Sequence, residues 1–199
     1  MSGRRHFSQA ISEGDGISIV VVVDRSSAAE SALAQGAEAL VVTSHAALEA
    51  VRPASELPIL SLAEGELEES IEAGTDAVAL DCEHFGAEES IEEFVARAAE
   101  KGLDCLIEVR AEDEIERALE LLDPEIFLLT PLRDSSLDEQ LEHVLELLPD
   151  IPAGKLAVAR LDALPSREQV SELERAGVDA VIVGSGDIAG IAGGAVPGV

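Results

Sequence analysis

The segment Gly102 to Asp134 constrains the fold most, because it reads as a complete strand, helix and strand. Leu103 to Val109 is a short, mainly apolar run with two acids, Asp104 near its start and Glu108 near its end, the form of a strand buried on both faces. Ile115, Leu119 and Leu122 then recur at helical spacing on an acidic segment, which Asp123-Pro124 stops before a second apolar run, Ile126 to Thr130. The segment between the runs supplies the crossover of about twelve residues that a parallel pair requires.

The same unit recurs along the chain. Strand-like runs fall at Ile17–Val23, Glu38–Thr43, Pro58–Leu62, Asp76–Asp81, Leu103–Val109, Glu125–Thr130, Lys155–Arg160 and Asp179–Gly184. Helix-like segments lie between them, and four open with Ser three residues before an acid or amide: Ser27/Glu30, Ser61/Glu64, Ser136/Glu139 and Ser166/Gln169. That is the capping-box pattern, in which side chains satisfy the orphan amides of a helix start. Gly36, Gly74, Gly102 and Gly177 punctuate helix ends before the next strand. Eight such alternations without a linker predict an α/β fold, a compact single-domain (βα)8 TIM barrel with short βα loops that occupies residues 1–199. An open sheet of six or seven strands is the alternative, since the second and third runs are short. Ala189 to Val199, rich in glycine, reads as a frayed tail.

Composition narrows the partners. The formal net charge is -28, from 41 acids against 13 basic residues, of which only Lys101 and Lys155 are lysines. Such a surface repels phosphate backbones and anionic lipid, which excludes nucleic-acid and membrane roles. Acid-rich, lysine-poor composition fits a high-salt habitat or an arginine-biased genome. With 47% hydrophobic residues the chain fills a sizeable core; the reading is of a cytoplasmic protein, a monomer, needing no cofactor and no metal. Cys82 and Cys105 lie in or beside strand runs and read as packing residues. Asp81, Cys82, Glu83 and His84 look faintly like metal ligands, but neighbours on a strand face opposite ways and cannot all reach one ion.

In a barrel, function gathers where strands end and helices begin. Arg25, Arg110, Arg133 and Arg160 all fall there and together would form an anion site for carboxylate or phosphate, unless each pairs with a rim acid such as Asp24, Glu108 or Asp134. Glu108 is the candidate catalytic base. Gly184-Ser185-Gly186 is a small-residue turn whose amides could face a phosphate.

Three segments, KGLDCLIEVRAEDEIERALELL, IPAGKLAVARLDALPSREQVSELERAGVDAVIVGSGDI and ISIVVVVDRSS, resemble indole-3-glycerol phosphate synthase, a (βα)8 enzyme of tryptophan synthesis. The resemblance implies a phosphate-binding barrel that, in active members, closes and decarboxylates a ribulose-phosphate-linked anthranilate to form the indole ring. The family's working residues carry over poorly. Its first-strand Glu-x-Lys-Arg is Val22 and Asp24 before Arg25, and its general-acid lysine falls at Leu62. The sixth-strand asparagine becomes Thr130 or Pro131, and the seventh-strand Glu-Ser-Gly becomes Ala159-Arg160-Leu161. The fifth-strand glutamate is kept as Glu108, the phosphate-cradling Gly-Ser as Gly184-Ser185, and Ser27 matches a first-loop serine. Against the family, residues 1–16 form a reduced N-terminal lid, with Arg4 to Ile11 as its helix, and the loops after the first two strands are cut to a few residues. The resemblance therefore implies a silent barrel that binds a small phosphate or carboxylate ligand. The alternative is a lyase or isomerase acting on a small phosphorylated substrate, residual synthase activity included.

The charge carries its own expectation. Screening weakens repulsion among unpaired acids, so the melting temperature should rise as potassium chloride is raised; a steady fall, followed by circular dichroism, would contradict it.

Overall fold

The computed structural model describes residues 6–14, 16–62, 67–81, 91–132 and 134–191. The elements run α1 (Phe7–Ser12), β1 (Ser18–Val22), α2 (Ser26–Ala34), β2 (Ala39–Val42), α3 (His45–Val51), β3 (Ile59–Ser61), α4 (Leu67–Glu72) and β4 (Ala77–Asp81). They continue α5 (Ile91–Glu100), β5 (Asp104–Val109), α6 (Glu112–Leu121), β6 (Ile126–Leu129), α7 (Leu137–Leu147), β7 (Leu156–Arg160), α8 (Arg167–Ala176) and β8 (Ala180–Val183). Each strand pairs in parallel with the next, and β8 closes on β1 with Ser18 to Val21 opposite Ala180 to Val183. The fold is a closed (βα)8 barrel, and the open-sheet alternative falls. Although β3 has only three residues, a strand inside a closed barrel has hydrogen-bonding neighbours on both sides.

Strand alternation divides the apolar residues into two shells. Val20, Val41, Leu60, Leu106, Leu128, Val158 and Ile182 fill the barrel interior. Ile19, Leu40, Ile107, Phe127, Leu129 and Val181 face outward, in the layer with Leu48, Ile115, Val144 and Leu173 of the surrounding helices. Cys105 packs in the outer layer, where burial pushes its thiol up to about 11 and keeps it inert. Cys82 lies outside the described residues.

Helix starts follow the expected chemistry in two cases out of four. Ser136/Glu139 and Ser166/Gln169 form capping boxes at α7 and α8. Ser27 instead lies inside α2, which opens on Arg25 without a side-chain cap, and Ser61 ends β3, with Glu64 outside the described residues. Ser44 caps α3, its hydroxyl 3.2 Å from Ala47 N. The four helix-ending glycines all take positive φ, from 75° at Gly102 to 108° at Gly177, where a side chain would be strained.

The described part of the expected lid sits at the other end of the barrel. Asp104 and Ser18 open β5 and β1; Asp104 Oδ2 accepts Ser8 N at 2.7 Å, and Ser18 Oγ donates to the carbonyls of Ala10 and Ile11. Thus α1 lies under the barrel as its floor. Its reason is volume: the lower inward positions are small, Ser18, Ala39, Ala77 and Ala180, and Phe7 and Ile11 fill the space they leave.

Polar clasps close the lower rim. Asp76 N donates to Ile59 O at 2.9 Å while its Oδ2 accepts Ile59 N at 2.9 Å. Asp179 does the same with Ala157, at 2.9 and 2.8 Å. Both aspartates lie in Gly-x-Asp-Ala, a repeat at 74–77 and 177–180. Arg52 Nη1 reaches Asp76 Oδ2 at 2.8 Å, both side chains nearly buried, and Arg52 also donates to the carbonyls of Ser55 and Leu57. Removing one partner from a pair so buried strands a charge and costs about 3–5 kcal/mol.

Burial raises the pKa of Asp179 above its ordinary 3.8, outweighing the Ala157 N–H bond that lowers it. A carboxyl raised on folding favours the fold fully below its unfolded pKa, and that contribution is lost as pH rises through the folded value. Asp179→Asn keeps an acceptor for Ala157 N without the charge. It should raise the melting temperature at pH 7 and give no gain near pH 3, as thermal unfolding at the two pH values would read.

Candidate functional site at the barrel mouth

Register fixes which side chains meet at the mouth. Val22 leads through Val41, Leu60 and Ala77 to Asp104; Leu106, two residues higher, leads through Ile126 to Leu156; Val158, two higher again, leads through Ala180 to Ser18. The four residues stepped up and the four separating Ser18 from Val22 make a stagger of eight, the usual value for this barrel. One residue of rise per strand then sets alternate strands at equal height. Val20, Leu60, Leu106 and Val158 form a fully buried apolar layer, and the next odd-strand layer is Val22, Leu62, Glu108 and Arg160. Above it the even strands place Thr43, Asp81, Thr130 and Gly184. Inward polar chemistry begins at Glu108.

One side of the mouth is an ion-pair cluster. Asp81 and Glu108 are register partners on β4 and β5, and Arg110 Nη2 bridges them at 3.0 and 2.7 Å. Burial pulls the Arg110 pKa down. The hydrogen bond to Asp81 and the charges of Glu108, Asp81 and Glu114 outweigh it, so the guanidinium is held above its ordinary value. Its backbone is fixed as well: Arg110 N donates to Glu114 Oε2 at 2.6 Å, and His143 Nε2 lies 2.9 Å from Arg110 O, to which it donates. For Arg110, pairing with rim acids is the reading that holds.

Four of the expected anion residues line a different place. Arg25, Ser27, Ser185 and Gly186 share a cleft of about 330 Å³ between α2 and the end of β8. Outward-facing Val21 also lines it, so the cleft lies beside the barrel interior. Arg25 pairs there with Asp24 at 3.2 Å, both well exposed, a contact worth little in water. The loop after β8 is tied down by Ile188 N donating to Gln35 Oε1 at 2.8 Å. Gly184 faces the mouth, while Arg133 lies outside the described residues, as do Glu83 and His84.

Arg160 is half-buried and, among the described residues, its guanidinium has neither a hydrogen bond nor an ion pair. Two further polar groups belong here, and of these sequence reasoning passed over Gln140. Gln140 of α7 exchanges hydrogen bonds with Asp162, to Asp162 Oδ2 at 3.1 Å and from Asp162 N at 3.0 Å, fixing the β7–α8 loop. Thr130 buries a hydroxyl that has no partner. The signal for Thr130 was its parity with the inward Ile126 and Leu128; Gln140 gave none.

A closed parallel barrel with an ion-pair cluster at its upper rim belongs to the class that works at its βα loops. The indole-3-glycerol phosphate synthase family profile matches residues 14–188, and the chain belongs to that family. Indole-3-glycerol phosphate synthase of Geobacillus sp. (strain WCH70) is 29% identical over 138 residues, 67% of this chain and 53% of the relative. That of Geobacillus kaustophilus (strain HTA426) is 30% identical over 141 residues, 69% of this chain and 54% of the relative. The chain thus spans about half the length of these relatives. In fold it resembles the N-acetylmannosamine-6-phosphate 2-epimerase of Clostridium perfringens, with TM-score 0.72, 14% identity, and 92% and 91% of the two chains covered. It also resembles a mutant tryptophan synthase alpha-subunit of Pyrococcus furiosus, with TM-score 0.62, 15% identity, and 87% and 88% covered.

Arg110→Met would leave Asp81 and Glu108 facing each other unbridged. Like charges so close raise a carboxyl pKa, and the resulting stability is present at acid pH and lost as pH rises. The melting-temperature deficit of this variant should be larger at pH 7 than near pH 4.5; equal deficits would mean the bridge carries no electrostatic role.

Proposed function

We propose that this chain is a member of the family without ring-closing synthase chemistry, and that it holds a small phosphate or carboxylate ligand at the C-terminal mouth. The observation that carries the reading is the place of its lysines. Lys101 follows α5 and precedes β5, and Lys155 precedes β7, so both stand at the lower ends of strands. Lys155 is bound there to Asp123 Oδ1 at 2.9 Å. The position that the resemblance assigns to the general-acid lysine is Leu62, a hydrocarbon facing inward. The described cations of the mouth and its flank are Arg25, Arg110 and Arg160. A guanidinium stays charged at any ordinary pH, so it attracts an anion but delivers no proton. General acid catalysis contributes roughly a hundredfold or more, and none of the described lysines or arginines supplies it at the mouth.

Altered chemistry through Glu108 has less support. A general base must be free to take a proton, whereas the carboxylate of Glu108 is engaged by Arg110 at 2.7 Å.

Indole-3-glycerol phosphate formation from the anthranilate precursor, followed by product fluorescence, tests the first half; the chain has no Trp or Tyr to add background. Protein shown folded by circular dichroism should give no turnover above a blank, and turnover would defeat the reading. Phosphate or carboxylate salts should also raise the melting temperature above that in chloride at equal ionic strength.

A further inference from the structure

Thr130 and Arg160 are neighbours on the barrel wall. The β6–β7 register pairs Leu128 with Val158 and Leu129 with Ala159, so the next pair along is Thr130 with Arg160. Thr130 N still donates to Val109 O at 3.0 Å, so strand geometry continues through it, and it faces inward as Leu128 does. Thr130 is only 8% exposed and its Oγ1 finds no partner. An unpaired buried hydroxyl destabilises the fold until an acceptor meets it. Beside it stands a guanidinium that no described residue engages, although Glu108 shares its layer. Two unspent donors of different kinds therefore stand side by side on adjacent strands, both on inward positions.

Charge and shape narrow what would accept from them. Asp81, Glu108 and Glu114 exceed Arg110 and Arg160 by one charge, so a monoanion adds one more negative charge to the described mouth and a phosphate dianion adds two, next to Glu108. The guanidinium fork matches a planar carboxylate through two parallel bonds, and the threonine hydroxyl supplies a third. Leu132 and Leu164, 55% and 38% exposed, stand on the loops that follow Thr130 and Arg160. Leu164 Cδ2 also comes within 3.7 Å of where a side chain on Gly186 would begin, so the loop after β7 packs beside the loop after β8.

We infer that Thr130 and Arg160 receive the carboxylate of a small monocarboxylic acid whose apolar body lies against Leu132 and Leu164. The inference rests on the mouth being an anion site. Sodium benzoate is the probe, with acetate as the head group lacking a body and inorganic phosphate as the dianion, each titrated calorimetrically into the full chain at fixed ionic strength. Benzoate should bind, and acetate more weakly. Arg160→Gln should cut benzoate affinity roughly tenfold or more, the loss of a charge-assisted pair. Thr130→Val keeps the side-chain shape and decides the matter if the arginine variant fails to fold; it should weaken benzoate about threefold or more and raise the melting temperature of the unliganded protein. Arg175→Gln, on outer helix α8, should leave the affinity unchanged. Benzoate binding that survives both mouth substitutions, or phosphate bound in preference to benzoate, overturns this inference while leaving the mouth an anion site. Absence of binding by all three anions overturns both.

Discussion

Closure is the constraint on which the rest of this structure depends. Eight strands staggered by eight residues leave each strand only a few inward positions, and every layer must be filled from alternate strands. Here the middle layers are hydrocarbon throughout, from Val20, Leu60, Leu106 and Val158 to Val41, Leu128 and Ile182. Inward polar groups are therefore displaced to the two ends. Closure also explains why β2 and β3 can be so short, since four and three residues suffice when a neighbour on each side completes the ladder.

The two ends solve different problems. At the floor the inward residues are small, and α1 supplies the missing volume with Phe7 and Ile11; Asp104 then holds the helix by accepting Ser8 N. Asp76 and Asp179 each take both backbone groups of a residue on the preceding strand, which secures strand starts whose hydrogen bonds would otherwise fray. At the mouth the polar groups surround a space, and only some of them are satisfied by one another.

Most of the architecture was legible because its signals are local. Apolar runs bounded by Gly36, Gly74, Gly102 and Gly177 marked the strands following them, and Ser136 and Ser166 announced helices through partners three residues away. Where the signal was ambiguous, local reading failed: Ser27 has the right spacing to Glu30, but α2 begins before it. The function of α1 was illegible for another reason. Whether Phe7 covers the mouth or the floor depends on the sizes of Ser18, Ala39, Ala77 and Ala180, which become neighbours only after closure. The places of the expected anion residues were illegible in the same way. Strand ends placed Arg25, Arg110 and Arg160 on one ring, yet register sends the first to an outer cleft and the second into a carboxylate pair.

Arg110 and Arg160 show how far register can decide chemistry. Both are inward arginines at the upper ends of odd strands in a chain of net charge -28, so composition assigns both to carboxylates. Arg110 stands directly above Asp81 and Glu108, which are paired with each other across β4 and β5, and its charge is used there. Arg160 has Thr130 next to it on one side and Ile182 as its register partner on the other, so neither strand neighbour offers it an acid. The many acids on the outer helices do not change this, because exposed charges are screened beyond roughly 8–10 Å at ordinary ionic strength. A strongly acidic protein can thus leave a guanidinium unpaired among its described residues, provided that the strands flanking it carry a hydroxyl and a hydrocarbon where their neighbours carry carboxylates.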